Sequence, residues 1–195
     1  MDELQRDTAR TAVNVPNFLT GLRLLAVPVF VSLYLQGYHR AALVVFIGAM
    51  ATDWLDGVLA RMLKQFTRIG AILDPLADKA LGLSALALLA WSEKLPWWLV
   101  WITVFREACI FAAIWLLELF GRSYVVRPTR FGKYTTAFVS ATTILALVAE
   151  AAPAVAALRQ AVLALALVTA ELIVVSWAHY LWMFIRLMRA RQAAS

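Results

Sequence analysis

The chain has a single cysteine, Cys109, in an apolar run. One thiol supports no intrachain disulfide framework and reads as a small buried hydrophobe, so it says nothing of the redox compartment. The opening residues, MDELQRDTARTAVNVPN, lack the basic start, short apolar core and small-residue cleavage site of a secretory signal. The first apolar segment is therefore expected to be retained. No soluble-domain stretch, low-complexity tract or repeat interrupts the 195 residues. The expectation is one domain over residues 1–195, with 1–16 as a cytoplasmic segment able to form a short interfacial helix.

What the chain has in excess is grease. Its hydrophobic fraction is 63%, with eight Trp and ten Phe, against about 45–50% apolar residues in soluble domains. One small soluble core cannot absorb that excess. Six apolar segments follow, each near the about 20 residues that cross a bilayer. They run over 18–36, 41–63, 75–91, 96–120, 131–151 and 156–188, the last long enough to begin with an interfacial piece after Pro153. The expected fold is an all-α integral membrane protein with six transmembrane helices.

Basic residues set its orientation. Arg6, Arg10, Arg61, Lys64, Arg68, Arg122, Arg127, Arg130, Lys133, Arg186, Arg189 and Arg191 fall on one side of a six-span chain. Arg40, Lys94 and Arg159 fall on the other. Twelve against three puts both termini in the cytoplasm. The formal charge of +6 then belongs to a face apposed to anionic headgroups, and no feature points to nucleic acid. Trp91, Trp97 and Trp98 cluster where the opposite interface needs an aromatic belt.

Against this background, the stretch DWLDGVLARMLKQFTRIGAILDPLAD places four carboxylates within 26 residues, at the cytoplasmic ends of the second and third spans. Asp53 and Asp56 are three apart, and Asp74 and Asp78 four apart, so on helices each pair shares one face. Four carboxylates aimed at one volume repel one another. Hard divalent ions such as Mg²⁺ or Mn²⁺ relieve that repulsion through oxygen ligands, and four carboxylates suffice for two ions, an arrangement used for displacement at phosphorus. Gly57 and Ala60, one turn apart, leave a notch on the helix, and Arg61 adds a permanent cation beside it. Metals, notch and guanidinium together suit a nucleotide diphosphate. Asp74 before Pro75 also reads as a helix N-cap followed by proline at the first helical position. Gly57 alternatively serves helix packing alone. An EF-hand is excluded, because its alternating loop ligands are missing. A metal or proton transporter would instead carry acids near the midplane on several helices.

Asp53-x-x-Asp56-Gly57-x-x-Ala60-Arg61, then Gly70-x-x-x-Asp74-x-x-x-Asp78 after eight residues, resembles the signature of the CDP-alcohol phosphatidyltransferases. The six-span pattern is similar to that fold over nearly the whole chain. The resemblance implies a homodimeric membrane enzyme that moves a phosphatidyl group from a CDP-linked lipid to an alcohol and releases CMP. It implies Asp53, Asp56, Asp74 and Asp78 as ligands of two Mg²⁺ or Mn²⁺ ions, with Asp78 also the general base. The CDP-lipid would meet Asn17, Thr20, Asp53, Gly57, Ala60, Arg61 and Gly70.

Asn14-Val-Pro16-Asn17-Phe-Leu-Thr20-Gly-Leu-Arg23 and Leu73-Asp-Pro-Leu-Ala-Asp-Lys79 resemble the phosphatidylglycerophosphate synthases within that family, and the related cardiolipin synthases. Asn17 either caps the first helix or contacts the ligand. Arg23, inside a span, either snorkels or meets the diphosphate. The resemblance implies CDP-diacylglycerol as donor and sn-glycerol 3-phosphate as acceptor, with phosphatidylglycerol the next choice and inositol-phosphate chemistry third. An acceptor phosphate needs its own cations. Arg122, Arg127, Arg130 and Lys133, with Thr129, Thr135 and Thr136, supply one cluster, unless those charges only mark an inside loop. Gly132-Lys133 at a helix start suits an anion. It resembles the GKxKT segment of these synthases, with Thr135 standing where they have Lys. Arg106-Glu107, inside the fourth span, is the second candidate for the acceptor phosphate. The expected location is a bacterial inner membrane, with an active site open to the cytoplasmic leaflet.

Overall fold

A computed structural model of the chain describes the backbone of residues 15–63, 68–119 and 130–192. Side chains are described over 21–52, 77, 79–112, 131–155, 157–183 and 185. Six helices occupy the described residues, with no strand among them: α1 (Val15–Leu35), α2 (His39–Leu63), α3 (Arg68–Trp91), α4 (Trp97–Leu119), α5 (Arg130–Ala151) and α6 (Ala156–Gln192). Among the described residues two stretches are long and apolar enough to cross a bilayer, Phe131–Ala151 and Ala157–Met183, with mean hydropathies of 1.3 and 2.2. Shorter apolar helical stretches cover Gly21–Leu35, His39–Thr52 and Lys79–Trp91. The expected short helix before Pro16 lies outside the described residues.

Two helix boundaries differ from the sequence reading. Helix α3 begins at Arg68, so Asp74 and Pro75 lie inside it and Asp74 is not its N-cap. Proline in a helix interior removes one backbone hydrogen bond, a loss that membrane helices accommodate through their neighbours. Pro28 inside α1 is a second case. Helix α6 is continuous over 37 residues from Ala156, with no separate interfacial piece. At 1.5 Å per residue that is about 55 Å, well beyond the about 30 Å hydrocarbon core.

The helices group into two compact units, Met1–Leu88 with Glu150–Ala152, and Leu89–Ala149 with Pro153–Ser195. In the first, α1 and α2 form an antiparallel hairpin around Phe30, Tyr34, Ala42, Phe46 and Ala49, all buried. Ala42 and Ala49, two turns apart, allow close approach. Phe46 fills the space against Phe30 at a centroid distance of 5.5 Å. The hairpin turn is a Schellman motif: Tyr38 N donates to Leu33 O at 2.9 Å and Gly37 N to Tyr34 O at 3.0 Å. Gly37 takes the left-handed position at φ 82°. At the other end of α3, Lys94 N donates to Leu89 O and Glu93 N to Ala90 O in the same pattern. There the left-handed residue is Glu93, at φ 58°.

In the second unit, α6 buries Val162, Ala166, Thr169, Ile173 and Ser176. Their steps of three and four make one continuous stripe. Helix α5 answers with Thr135, Thr142, Thr143, Ala146 and Leu147. The seam is threonine-rich. Thr142 and Thr169 share a 2.7 Å hydrogen bond between hydroxyls, and Thr135 Oγ1 donates within its own turn to Phe131 O (2.9 Å) or across to Leu172 O (3.2 Å). Phe105 of α4 packs on Trp177 of α6.

Candidate active site

The acidic signature falls on two helices. Asp53, Asp56, Gly57, Ala60 and Arg61 lie in the last three turns of α2, and Gly70, Asp74 and Asp78 in the first three turns of α3. Both Asp pairs therefore have the helical register that the spacing predicts, with each pair on one face of its helix. The side chains of these eight residues, and of Asn17 and Thr20 in α1, lie outside the described residues. Among the described residues no group of three His, Cys, Asp or Glu side chains could hold a metal ion. The donor set of the quartet, carboxylate oxygen throughout, fits hard divalent cations.

Described neighbours show how the region is built. Ala77, between the two acids of α3, is buried, and it starts a ladder with Leu81, Ala85 and Leu89 that turns one face of α3 inward. Thr52, just before Asp53, donates its hydroxyl to Ala49 O at 2.8 Å and so is satisfied within its own helix. Arg23 does not snorkel along a lipid-facing surface; its side chain is 1% exposed.

The second cluster is partly assembled. Arg106, only 5% exposed on α4, pairs with Glu107 beside it. Its Nη2 donates to Gly132 O at 3.4 Å. A buried guanidinium is thus anchored to the first turn of α5, where backbone N–H groups lack intrahelical acceptors and favour an anion. Lys133, next to Gly132, is exposed. Thr136 is also exposed, and donates to Gly132 O at 3.1 Å. Thr135 sits differently. It is completely buried, and its single hydroxyl proton goes to a helix carbonyl, so its place is in the α5–α6 seam. Arg122 and Arg127 lie outside the described residues, as does the side chain of Arg130, which opens α5.

Some polar contacts had no clear signal in the sequence. Within the first unit, His39 Nε2 lies 3.7 Å from Glu150 Oε1, and Arg40 Nε donates to Ala151 O at 3.3 Å. Tyr34 meets the His39 ring edge-on. The Thr142–Thr169 bond could have been suspected only from Thr135 and Thr142 recurring two turns apart. His179 packs between Phe131 and Trp182.

A family model described as CDP-alcohol phosphatidyltransferase matches residues 13–182. Similar curated proteins include the CDP-diacylglycerol–glycerol-3-phosphate 3-phosphatidyltransferase of Pseudomonas fluorescens, 44% identical over 118 residues, or 57% of this chain and 60% of that protein. The protein of that name from Cereibacter sphaeroides is 40% identical over 132 residues, 63% of this chain and 58% of its own. That from Yersinia pestis is 38% identical over 120 residues, 58% and 65% respectively. The chain thus spans less than two thirds of the length of these relatives.

Proposed function

The chain belongs to the CDP-alcohol phosphatidyltransferase family, and from that premise we propose that it transfers a phosphatidyl group from CDP-diacylglycerol to sn-glycerol 3-phosphate, giving phosphatidylglycerophosphate and CMP. The observation that carries the reading is the acidic signature, complete in the sequence and set on continuous helix in α2 and α3, within the matched stretch. The names of the similar proteins support the acceptor.

Asp53, Asp56, Asp74 and Asp78 would hold two Mg²⁺ or Mn²⁺ ions, which offset the charge of the pyrophosphate bridge and of departing CMP. The chain's own residues do the rest. Gly57 and Ala60 leave room for the nucleotide and Arg61 binds a phosphate oxygen, with Asn17, Thr20 and Gly70 completing the CDP-lipid site. Asp78 takes the proton of the incoming hydroxyl as its oxygen bonds to the phosphatidyl phosphorus. The bond from that phosphorus to the bridging oxygen breaks in line, and CMP leaves with the electron pair. Arg106, held by Glu107 and Gly132 O, and the cations Arg122, Arg127, Arg130 and Lys133 would receive the acceptor's phosphate. Thr135 supports them from the helix seam. The enzyme is read as a six-span homodimer in a bacterial inner membrane, with termini and active site facing the cytoplasm.

The test is CMP release from CDP-diacylglycerol by purified protein with Mg²⁺ or Mn²⁺ and a panel of radiolabelled acceptors. Release with sn-glycerol 3-phosphate is expected. Release only with phosphatidylglycerol would make this a cardiolipin synthase. No release with any alcohol would replace the transferase reading with a metal or proton transporter.

A further inference from the structure

Lys94 and Arg159 are two of the three basic residues expected on the non-cytoplasmic side. Both line one cavity of about 330 Å³, built within the second unit from the α3–α4 turn and the first turns of α6. Ala90, Leu95, Pro96 and Leu163 form its apolar walls, and Glu93 and Trp97 complete it. The third basic residue, Arg40, is engaged with Ala151 O. Arg159 makes no hydrogen bond or ion pair among the described residues, and it is exposed. Positive charge is disfavoured on this side of a membrane protein, so two cations at one cavity call for a reason.

The surroundings narrow the ligand. Lys94, Arg159 and Glu93 leave one net positive charge, which matches a single phosphodiester. The volume is at the low end of the about 300–1,000 Å³ of small-ligand sites, so it suits a headgroup and not acyl chains. Trp91, Trp97, Trp98 and Trp101 are all exposed around this end of α3 and α4, Trp91 by 75%. Exposed tryptophans lie at headgroup depth, with their rings against the upper acyl chains. The wall carrying the charges is fixed, because Lys94 N and Leu95 N both bond to Leu89 O, at 2.8 and 3.1 Å.

We propose that this cavity binds the phosphate of an anionic phospholipid from the non-cytoplasmic leaflet, with Lys94 and Arg159 on the phosphate oxygens and the acyl chains lying along the tryptophans. Glu93 accepts a hydrogen bond from a headgroup hydroxyl and disfavours a doubly charged phosphate. The site rests on the membrane placement of the chain and not on its chemistry, so failure of the transferase reading leaves it intact.

The test is native mass spectrometry of the full chain, released from nanodiscs of equal phosphatidylglycerol and phosphatidylcholine, with the lipids retained per protein counted. The comparison is between wild type and the double variant K94A/R159A. Both substituted residues are exposed, so the variant is expected to fold, and an unchanged melting temperature checks that. Wild type should retain phosphatidylglycerol preferentially, and the variant should lose that preference by about thirty-fold, as expected for two basic groups at a lipid surface. Equal preference in both proteins overturns the site. Displacement of the lipid by millimolar inorganic phosphate also overturns it, because the cavity would then be a site for free anions. CMP release should be the same in both proteins, which separates this site from the acceptor cluster.

Discussion

The two units meet the same difficulty, polar groups in an apolar chain, in opposite ways. In the second unit most of the buried polar groups are hydroxyls, with Arg106 the charged exception among the described residues. Thr103, Thr135 and Thr143 each donate to a carbonyl one turn back in their own helix, while Thr142 and Thr169 share two protons among Phe138 O, Leu165 O and each other. A hydroxyl carries its own proton and can be satisfied this way. In the first unit the polar groups of the signature are Asp53, Asp56, Asp74 and Asp78. An ionised carboxylate only accepts, so it cannot use the carbonyls of its own helix and must find donors or cations elsewhere. Threonine in such a chain is therefore compatible with packing alone, whereas clustered aspartate calls for a ligand.

The contrast can be broken most sharply at Asp78. Asp78→Asn keeps the size and removes the base, and turnover should fall by about 10²–10⁴-fold. CDP-diacylglycerol binding, read by nucleotide titration, should remain detectable, and near-normal CMP release would remove Asp78 from the mechanism. Next comes Arg106, a buried cation that the structure joins to the first turn of α5 through Gly132 O. Arg106→Lys keeps the charge but cannot reach both Glu107 and Gly132 O. The KM for sn-glycerol 3-phosphate should rise about ten-fold, since a hydrogen bond to a charged group contributes about 1.5–3 kcal/mol, while the KM for CDP-diacylglycerol stays constant.

The hydroxyl side of the comparison predicts the reverse pattern. Thr142→Val removes the contact with Thr169, whose hydroxyl still has Leu165 O. Stability in detergent should drop by about 0.6–1.7 kcal/mol, with kcat and both KM values unchanged. Effects of comparable size, and the smallest one, are expected at the two Schellman turns. A Cβ on Gly37 would meet nothing within 4 Å, so Gly37→Ala should cost only its left-handed backbone, about 1–2 kcal/mol. Glu93→Gly relieves the same strain but adds chain entropy, and the melting temperature should correspond to a change below about 1 kcal/mol.

Much of this was legible in the sequence for a physical reason. Apolar runs of spanning length announce helices, and four of the six were bounded within three residues, with the end of α6 four residues further on. The start of α3 was missed because Asp-Pro is a strong helix-opening signal, and only a helix already running from Arg68 overrides it. The acidic signature was legible because its spacing is local. The link from Arg106 to Gly132 was not, since it joins α4 to α5 across 26 residues. Thr135 shows the limit most plainly. Its hydroxyl reads equally as a phosphate donor or a helix-packing group, and only its burial against Leu172 distinguishes them.

The clamp of His39 and Arg40 on Glu150 and Ala151 bears on the order of assembly. It joins positions 111 residues apart, and translation proceeds from the N-terminus at about 5–20 residues per second. The α1–α2 hairpin can form as soon as it leaves the ribosome, but its outer turn stays unfastened until the end of α5 has been made. For several seconds the nascent chain holds a finished hairpin with an open latch.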